Sequence, residues 1–333
     1  MKRKPVLPRL IERFFTERLV RQRNVSPHTI ASYRDTFRLL LRFTQKHLKL
    51  QPSSLELQHI DARLIIAFLE DMETQRAVGA RTRNLRLTAL RSFFRYVAFE
   101  EPSHSAHIQR ILLIPSKQHD KRVVHFLTRA EIEALLAAPN IRTWLGRRDH
   151  ALLRLAVQTG LRLSELIQLD CDAVILGRGA HVRCTGKGRK ERCTPLTAQT
   201  VRVLRAWLKE ARSEGVTALF PSVHGEHLSP DAVQYLLRKY VTIARTNCAS
   251  LNRKRVSVHV LRHSAAMELL QAGVDCSVIA LWLGHESVET TQIYLHAHMA
   301  LKEAALSKVA PMSQRSVGRY RPSDQLLQFL NAL

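Results

Sequence analysis

The chain has 333 residues, and at roughly 150 residues per domain this length predicts about two domains, each large enough for its own core. The chain has 52 Lys and Arg residues against 28 Asp and Glu, which gives a formal net charge of +24. This charge favours a polyanionic partner, and nucleic acid is favoured over a membrane surface. A hydrophobic content of 45% excludes a disordered basic tail, and no run approaches the ~18 consecutive apolar residues of a membrane-spanning helix.

The five cysteines are odd in number and form no CxxC pair. This pattern argues against a disulfide framework or a zinc knuckle and for a reducing compartment. We therefore expect a cytoplasmic protein that does not associate with membranes and whose cysteines act as small buried apolar residues.

The first hundred residues have the apolar spacing of helices. Ser26 followed by Pro27 predicts an N-cap with proline in the first helical position, and apolar residues recur behind it at helical spacing. Two further amphipathic runs cover residues 64–72 and about 81–99. We predict a small four-helix domain with basic helix ends over residues 1–102.

The stretch from Glu101 to Arg122 lacks periodicity and carries two prolines, so an interdomain linker is expected over residues 103–125. A second domain, residues 126–310, opens where Thr128 and Glu131 predict a capping box. A helical pattern to Leu169 is followed by strand-like pieces and then by more helices. The predicted strands cover 173–176, 181–185 and 191–196, and the later helices cover 197–211, 230–246, 260–272, 276–283 and 287–297.

Residues 311–333 form a predicted C-terminal tail. A polar, basic tether is followed by a short helix with leucines on one side, which we expect to dock either on its own domain or on a neighbouring protomer. The chain as a whole is predicted to be mainly α with a small β-sheet.

Five segments stand out by residue type: TGLRLSEL around Arg162, the glycine-flanked turn at Lys187, HVLRH from His259 to His263, LGHE around His285, and TTQIY ending at Tyr294. Arg162 follows a glycine at a helix start, where backbone N–H groups also favour an anion. His259 and Arg262 are one helical turn apart and share a face. Lys187 is expected at a hairpin tip.

These side chains suit phosphodiester transfer without a metal or another cofactor. Guanidinium forks bind phosphate oxygens, the phenol of Tyr294 can attack phosphorus, and Lys187 can give a proton to the departing 5′-oxygen. Each residue taken singly fits an ordinary surface or core role, and it is their joint occurrence that favours the chemistry. A metal-dependent nuclease would need an acidic cluster that the sequence lacks, and His259 with His263 would be only half a zinc site.

The sequence resembles the tyrosine recombinases, the phage-integrase and Xer-type family that shares its catalytic domain with type IB topoisomerases. The resemblance covers about residues 10–305 and is carried by TGLRLSEL, GKGRKERCTPL, HVLRH and LGHESVETTQIYLHA, and in the first domain by SPHTIASYRDTF and TRNLRLTALRSFFRY. It implies an N-terminal helical, SAM-like core-binding domain and an α+β catalytic domain. No additional N-terminal domain is expected, which favours a Xer-like or transposon-type enzyme.

The resemblance also implies the site residues. The catalytic set it implies is Arg162, Lys187, His259, Arg262, His285 and Tyr294, with Glu165 as a supporting acid. Tyr294 would form a 3′-phosphotyrosine, His259 would assist its proton transfer, and His285 would hydrogen-bond the phosphate. The implied activity is site-specific cutting and rejoining of double-stranded DNA, for integration, excision or transposition of a mobile element. The enzyme would act as a homo-tetramer on paired sites or as a hetero-oligomer with related recombinases.

The first domain is expected to contact DNA. Its helices beginning at Ser26 and Arg81 are predicted to expose Arg34, Arg81, Arg83 and Arg86, which would either read guanine in the major groove or contact phosphates. Two alternatives to a recombinase stay open at the level of sequence. One is a topoisomerase-like or hairpin-forming strand transferase, and the other is a catalytically silent DNA-binding regulator.

Overall fold

The computed structural model describes residues 6–119, 124–186, 190–213, 216–285, 287 and 289–297. The chain divides into two compact units, Met1–Lys121 and Arg122–Leu333. Each unit contains buried apolar clusters made of its own side chains. The predicted tail, residues 311–333, lies outside the described residues.

The first unit is helical. Its α-helices are α1 (Val6–Arg13), α2 (Pro27–Leu48), α3 (Ala62–Arg76), α4 (Ala80–Glu100) and α5 (Ser105–Leu112). A π-helical stretch, Phe14–Gln22, continues α1, and short 3-10 turns cover Pro52–Ser54, Leu57–His59 and Pro102–His104.

Side-chain caps begin two of these helices. The Ser26 hydroxyl accepts a hydrogen bond from the backbone N–H of Thr29 at the start of α2, where Pro27 is the first helical residue. Asp61 caps α3 by accepting from the N–H of Leu64 at 2.7 Å. Each cap satisfies a backbone donor that the helix leaves without a partner. The cap predicted at Ser26 is confirmed.

The expected linker is wrong over part of its length. Helix α5 lies inside it, and Ile108, Ile111 and Ile114 are buried in the core of the first unit. The run is short and bounded by Pro102 and Pro115, so its local sequence carries little helical signal, and tertiary packing stabilises it. Within residues 6–119 the first unit therefore has five α-helices rather than the predicted four, and it extends beyond residue 102.

The second unit combines helices with a small sheet. Its helices are α6 (Arg129–Ala137), α7 (Trp144–Thr159), α8 (Leu163–Ile167), α9 (Ala198–Ser213), α10 (Pro230–Asn247), α11 (Val258–Gln271), α12 (Cys276–Leu283) and α13 (Glu289–Ala297). The strands are β1 (Val174–Ile175), β2 (His181–Thr185) and β3 (Glu191–Pro195), and 3-10 turns cover Cys171–Ala173 and Ala249–Arg253. The prediction of a mainly α fold with a small sheet is confirmed, as is the capping box of Thr128 and Glu131.

The three strands form an antiparallel sheet in the order β1-β2-β3. Thr185 pairs with Glu191 across β2 and β3, so the two strands lead directly into the predicted hairpin tip. Val182 and Thr194 are buried on one face, as expected when successive side chains point to opposite faces.

Helices α11, α12 and α13 share a small core of their own. Met267, Ile279, Leu283 and Tyr294 are all nearly inaccessible within it. This packing brings the segments HVLRH, LGHE and TTQIY together. In the part of the chain that the structure describes, no helix is both long and apolar enough to cross a membrane.

Candidate active site

Arg162 is placed by a break between two helices. Helix α7 ends at Thr159, and its C-cap is Gly160, which has a φ of +62°. Arg162 is the N-cap of α8. Glu165, one turn into α8, accepts from the backbone N–H of Arg162 at 2.8 Å and from its Nη1 at 2.8 Å. The predicted glycine break is confirmed, and Glu165 holds the guanidinium against the start of α8.

Glu165 is also bound by a second arginine, Arg192 of β3. The Arg192 Nη1 donates to Oε1 of Glu165 at 3.0 Å and its Nη2 donates to Oε2 at 2.7 Å. Burial alone would raise the pKa of Glu165, but hydrogen bonds from Arg192 and Arg162 outweigh it and lower the pKa to about 2. Glu165 is therefore a buried carboxylate shared by two guanidiniums.

Arg192 is not among the predicted site residues, although the strand pattern contains a signal for it. Alternation along β3 places Arg192 on the same face as Thr194, which is fully buried. A charged side chain on an inward face requires a partner of opposite charge. That partner lies in α8.

The C-terminal end of α12 anchors both predicted catalytic arginines. Arg162 donates from Nη2 to the carbonyl of Gly284 at 2.9 Å, and Arg262 donates from Nη2 to the carbonyl of Leu283 at 2.7 Å. Arg262 also donates from Nη1 to the carbonyl of Gly160 at 2.8 Å. Cations are favoured at the negative end of a helix dipole, so these carbonyls suit the guanidiniums.

Gly284 allows this arrangement. Its φ is +66°, and a Cβ there would lie 2.8 Å from Nη1 of Arg192, so glycine is required by both its backbone conformation and its surroundings. Arg262 is 2% exposed, and burial together with the charge of Arg162 lowers its pKa to about 10. It still carries its charge at neutral pH.

Tyr294 contacts two histidines. Its phenol oxygen lies 2.9 Å from Nδ1 of His263, and its ring stacks on His285 with the centroids 6.4 Å apart. The ring of His259 lies 4.3 Å from that of His263, centroid to centroid. Nδ1 of His285 lies 2.7 Å from the hydroxyl of Thr291.

Burial sets the protonation states of these groups. It raises the pKa of Tyr294 to about 12, against the opposing effect of Arg262 and Arg162. Burial and the positive charge of Arg262 lower the pKa of His285 to about 4, and burial with His259 and Arg262 lowers that of His263 to about 4. At neutral pH the phenol is protonated, and both of these imidazoles are neutral.

The structure thus brings five predicted site residues and the supporting acid together. Arg162, Glu165, Arg262, His259, His285 and Tyr294 surround the junction of α8, α11, α12 and α13. Lys187 lies outside the described residues. Its neighbour Gly186 donates its N–H to the carbonyl of Lys190 at 2.8 Å, so the strands are still paired on either side of the turn.

The expectation that Arg83 is exposed is wrong. Arg83 is 5% exposed, its Nε lies 3.6 Å from the Glu73 carboxylate, and its Nη1 donates to the carbonyl of Pro115 at 3.3 Å. It therefore ties α4 to α3 and to the segment after α5. A guanidinium held in this way is not free to read a base.

Arg86 also differs from the prediction. It is half-buried, and its Nη1 donates to the carbonyl of Ser32 at 3.1 Å and to the hydroxyl of Thr36 at 3.0 Å, joining α4 to α2. Arg34 and Arg81 are exposed as expected. Helix periodicity distinguishes apolar from polar sides, but it does not reveal that a long arginine crosses to a neighbouring helix.

Among the residues that the structure describes, no three His, Cys, Asp or Glu side chains are grouped so that they could hold a metal ion. The cluster instead joins charged guanidiniums, neutral imidazoles and a phenol. Guanidiniums bind phosphate oxygens, and a phenol is a nucleophile for phosphorus. The arrangement is therefore suited to a phosphodiester.

Both units match known families. Residues 125–300 match the Phage integrase family, and residues 11–101 match the family described as Phage integrase, N-terminal SAM-like domain. The chain belongs to the phage integrase family, the tyrosine recombinases.

Individual relatives agree with this assignment. The chain is 60% identical over 324 residues to the integrase/recombinase y4rC of Sinorhizobium fredii, covering 97% of each chain. It is 35% identical over 285 residues to the tyrosine recombinase XerC of Pelotomaculum thermopropionicum, covering 83% of this chain and 89% of the relative. The XerH site-specific recombinase bound to palindromic difH substrate has a similar structure, with a TM-score of 0.67 and 26% identity over 85% of this chain and 80% of that one. These relatives do not favour the strand-transferase or silent-regulator alternatives.

Proposed function

We propose that this chain is a site-specific recombinase that cuts and rejoins double-stranded DNA through a 3′-phosphotyrosine on Tyr294, for integration, excision or transposition of a mobile element. One observation carries the proposal. The guanidiniums of Arg162 and Arg262 are anchored on adjacent carbonyls at the end of α12, immediately before His285, and Tyr294 lies on the next helix.

In this mechanism Arg162 and Arg262 bind the non-bridging oxygens of the scissile phosphate. Each guanidinium uses one Nη on a carbonyl of α12, which fixes its plane before DNA arrives. Preorganised donors stabilise the charge that develops at phosphorus without reorganising during the reaction. Glu165 holds Arg162 in place, and His285 adds a hydrogen bond to the phosphate.

Tyr294 attacks phosphorus and forms the covalent intermediate while the 5′-oxygen leaves. Lys187 gives the leaving oxygen its proton, and His259 assists proton transfer from the phenol. A 5′-hydroxyl from a second duplex then attacks the phosphotyrosine and restores a phosphodiester. Because the bond energy is kept in the phosphotyrosine, the sequence of steps requires no nucleotide.

The proposed assembly follows from the stoichiometry of the exchange. Two duplexes cut on both strands need four nucleophiles, and each chain has one Tyr294. We therefore propose a homo-tetramer on paired sites, or a hetero-oligomer with related recombinases. The exposed Arg34 and Arg81 of the first unit are proposed DNA contacts.

The test is covalent trapping on a nicked suicide substrate whose core site is taken from the DNA that flanks the gene. The wild type should give a protein–DNA adduct on a denaturing gel, and Tyr294→Phe should bind the same DNA and give none. Tyr240→Phe is the matched control, because Tyr240 is equally buried but its hydroxyl donates to Asp149 at 2.8 Å, away from the site. An adduct with Tyr294→Phe, or none with Tyr240→Phe, would place the nucleophile elsewhere.

A further inference from the structure

His263 lies against the nucleophile proposed above. It follows Arg262 directly on α11, and its Nδ1 is 2.9 Å from the phenol oxygen of Tyr294 on α13. The two rings are 5.5 Å apart, centroid to centroid, at 64° to one another, so the imidazole meets the phenol edge without stacking on it. His259, one turn earlier on α11, contacts the His263 ring.

A neutral His263 can accept this hydrogen bond from the phenol. The phenol oxygen is buried, and the groups facing the pair are His259 and Arg262 on α11, His285 beyond α12 and the guanidinium of Arg162. Burial and the positive charge of Arg262 disfavour a second proton on the His263 ring. A neutral imidazole has one nitrogen free to accept, and the phenol has one O–H to donate. We assign the phenol as the donor and Nδ1 of His263 as the acceptor.

We propose that His263 is a catalytic residue that takes the phenol proton as Tyr294 attacks the scissile phosphate and returns it when the phosphotyrosine is resolved. The inference rests on the proposed function, since it needs Tyr294 as the nucleophile. It differs from the role expected for His259, because it assigns the proton to His263, whose Nδ1 is within hydrogen-bond distance of the phenol oxygen.

Transfer of the phenol proton accompanies the exchange of bonds at phosphorus. The O–H pair of the phenol becomes the new bond between Oη and phosphorus, and the proton moves to Nδ1 of His263. The bond between phosphorus and the 5′-oxygen breaks, and its electron pair leaves with the oxygen, which takes a proton from the general acid. On rejoining, the 5′-hydroxyl gives its proton back to the group that acted as the general acid, and its oxygen forms the new bond to phosphorus. The bond between phosphorus and Oη breaks, its electron pair leaves with the phenol oxygen, and that oxygen takes the proton held by His263.

Arrival of DNA favours this transfer. In the free site the guanidinium of Arg262 opposes a positive charge on His263. A phosphodiester bound between Arg162 and Arg262 brings a negative charge, and a nearby negative charge raises the affinity of an imidazole for a proton. The proton acceptor therefore becomes effective when the substrate is in place.

The decisive variant is His263→Asn. The Asn side-chain oxygen can lie where Nδ1 lies and accept the same hydrogen bond, but a carboxamide does not take up a proton at neutral pH. We expect adduct formation to slow by roughly 10²–10⁴-fold, with DNA binding and thermal unfolding close to the wild type. His150→Asn is the matched control, because His150 is a half-buried histidine bound to the carbonyl of Leu136, outside the site.

The pH profile distinguishes proton transfer from simple positioning. Without a base, attack depends on the small fraction of ionised phenol, so the rate for His263→Asn should rise about tenfold per pH unit between pH 6 and 9. The wild-type rate should change far less over the same range. If His263→Asn does not fold, His263→Gln is measured in the same way.

Three results have distinct meanings. A rate and profile for His263→Asn equal to those of the wild type would overturn the proposal. The proposal would also be overturned if the rate of adduct formation rose tenfold per pH unit for His259→Asn and stayed nearly constant for His263→Asn. That result would make His259 the proton acceptor. Absence of any adduct with the wild type would instead contradict the proposed function.

Discussion

Arg192 and Glu165 form a two-point ion pair that links the β-hairpin to the start of α8. The two bonds measure 3.0 and 2.7 Å, and the Glu165 side chain is only 2% exposed. Parallel N–H donors of a guanidinium match the two oxygens of a carboxylate, and such pairs are geometrically specific. Arg192 also lies beside Gly284. It therefore shares with Arg162 both the carboxylate of Glu165 and the C-terminal end of α12.

We expect Arg192→Gln to destabilise the protein and to slow adduct formation more than tenfold. It leaves a buried carboxylate with one cation instead of two, and breaking a buried pair costs roughly 3–5 kcal/mol when no other partner is present. Urea unfolding and covalent trapping measure the two effects. Arg183→Gln, an exposed arginine on the neighbouring strand, removes the same charge and should change neither. If Arg192→Gln lowers stability as much in the Glu165→Gln variant as in the wild type, the two residues are not coupled.

Gly284→Ala should abolish adduct formation through backbone strain and steric contact together. Its φ of +66° disfavours a side chain, and the new Cβ would lie within 2.8 Å of Arg192, displacing carbonyls that hold Arg162 and Arg262. Gly273→Ala is a close control, with a φ of +82° and nothing within 4 Å of the added Cβ. The positive φ should cost each variant roughly 1–2 kcal/mol of stability, and the steric contact should add to the loss in Gly284→Ala. Only Gly284→Ala should fail in the trapping assay. Equal activity of the two would mean that the α12 carbonyls do not position the arginines.

Lys187→Ala should slow cleavage by roughly 10²–10⁴-fold if the lysine protonates the leaving oxygen. A substrate with sulfur at the 5′-bridging position has a leaving group that needs no proton. Cleavage of this substrate by the variant should therefore approach the wild-type rate. Failure of sulfur to restore the rate would assign Lys187 to phosphate binding or to the hairpin turn.

Arg81→Ala and Arg83→Ala should separate DNA binding from folding. Arg81 is exposed, so its loss should weaken DNA binding without lowering the unfolding temperature. Arg83 is buried beside Glu73, so its loss should destabilise the first unit, and any loss of DNA binding should follow that instability. Binding of Arg81→Ala to variant DNA sites then shows whether Arg81 contacts a base or a phosphate. Loss of a base contact should weaken binding to one sequence selectively, and loss of a phosphate contact should weaken binding to all of them equally. Unchanged stability of Arg83→Ala would contradict the structural role assigned to it.

Stability should decline on acidification in two stages. The pKa values of His263 and His285 are about 4 in the folded chain against an ordinary 6.5, so the unfolded chain binds more protons between these values, and stability falls as pH drops from about 6.5 to 4. Burial lowers the pKa of His150 in the same direction. Glu165 adds a further loss from about pH 4.5 towards 2. Urea unfolding measured at several pH values should show this slope. His263→Asn and His285→Asn should each reduce the change of stability with pH between about 6.5 and 4. If neither variant reduces it, these imidazoles are not buried as neutral groups.

Much of the fold follows from local sequence. The caps at Ser26 and Thr128 were predictable because they join a side chain to a backbone N–H three residues away. The three strands were predicted as strand-like pieces, the last two of them on either side of a glycine-flanked turn. Helix α5 was not, because its isoleucines become an apolar face only when the rest of the first unit packs against them.

The sequence by itself determined which chemical groups occur and in what order, and so the family and the candidate site residues. Tertiary structure alone decided which of them touch. Glu165 and Arg192 are 27 residues apart and His263 and Tyr294 are 31 apart, and those contacts depend on how α8, β3, α11 and α13 pack. Packing likewise buried Arg83 and left Arg81 exposed, although both lie in the first turn of one helix. Periodicity encodes the apolar side of a helix, whereas the partner of a long charged side chain depends on the neighbouring element that reaches it.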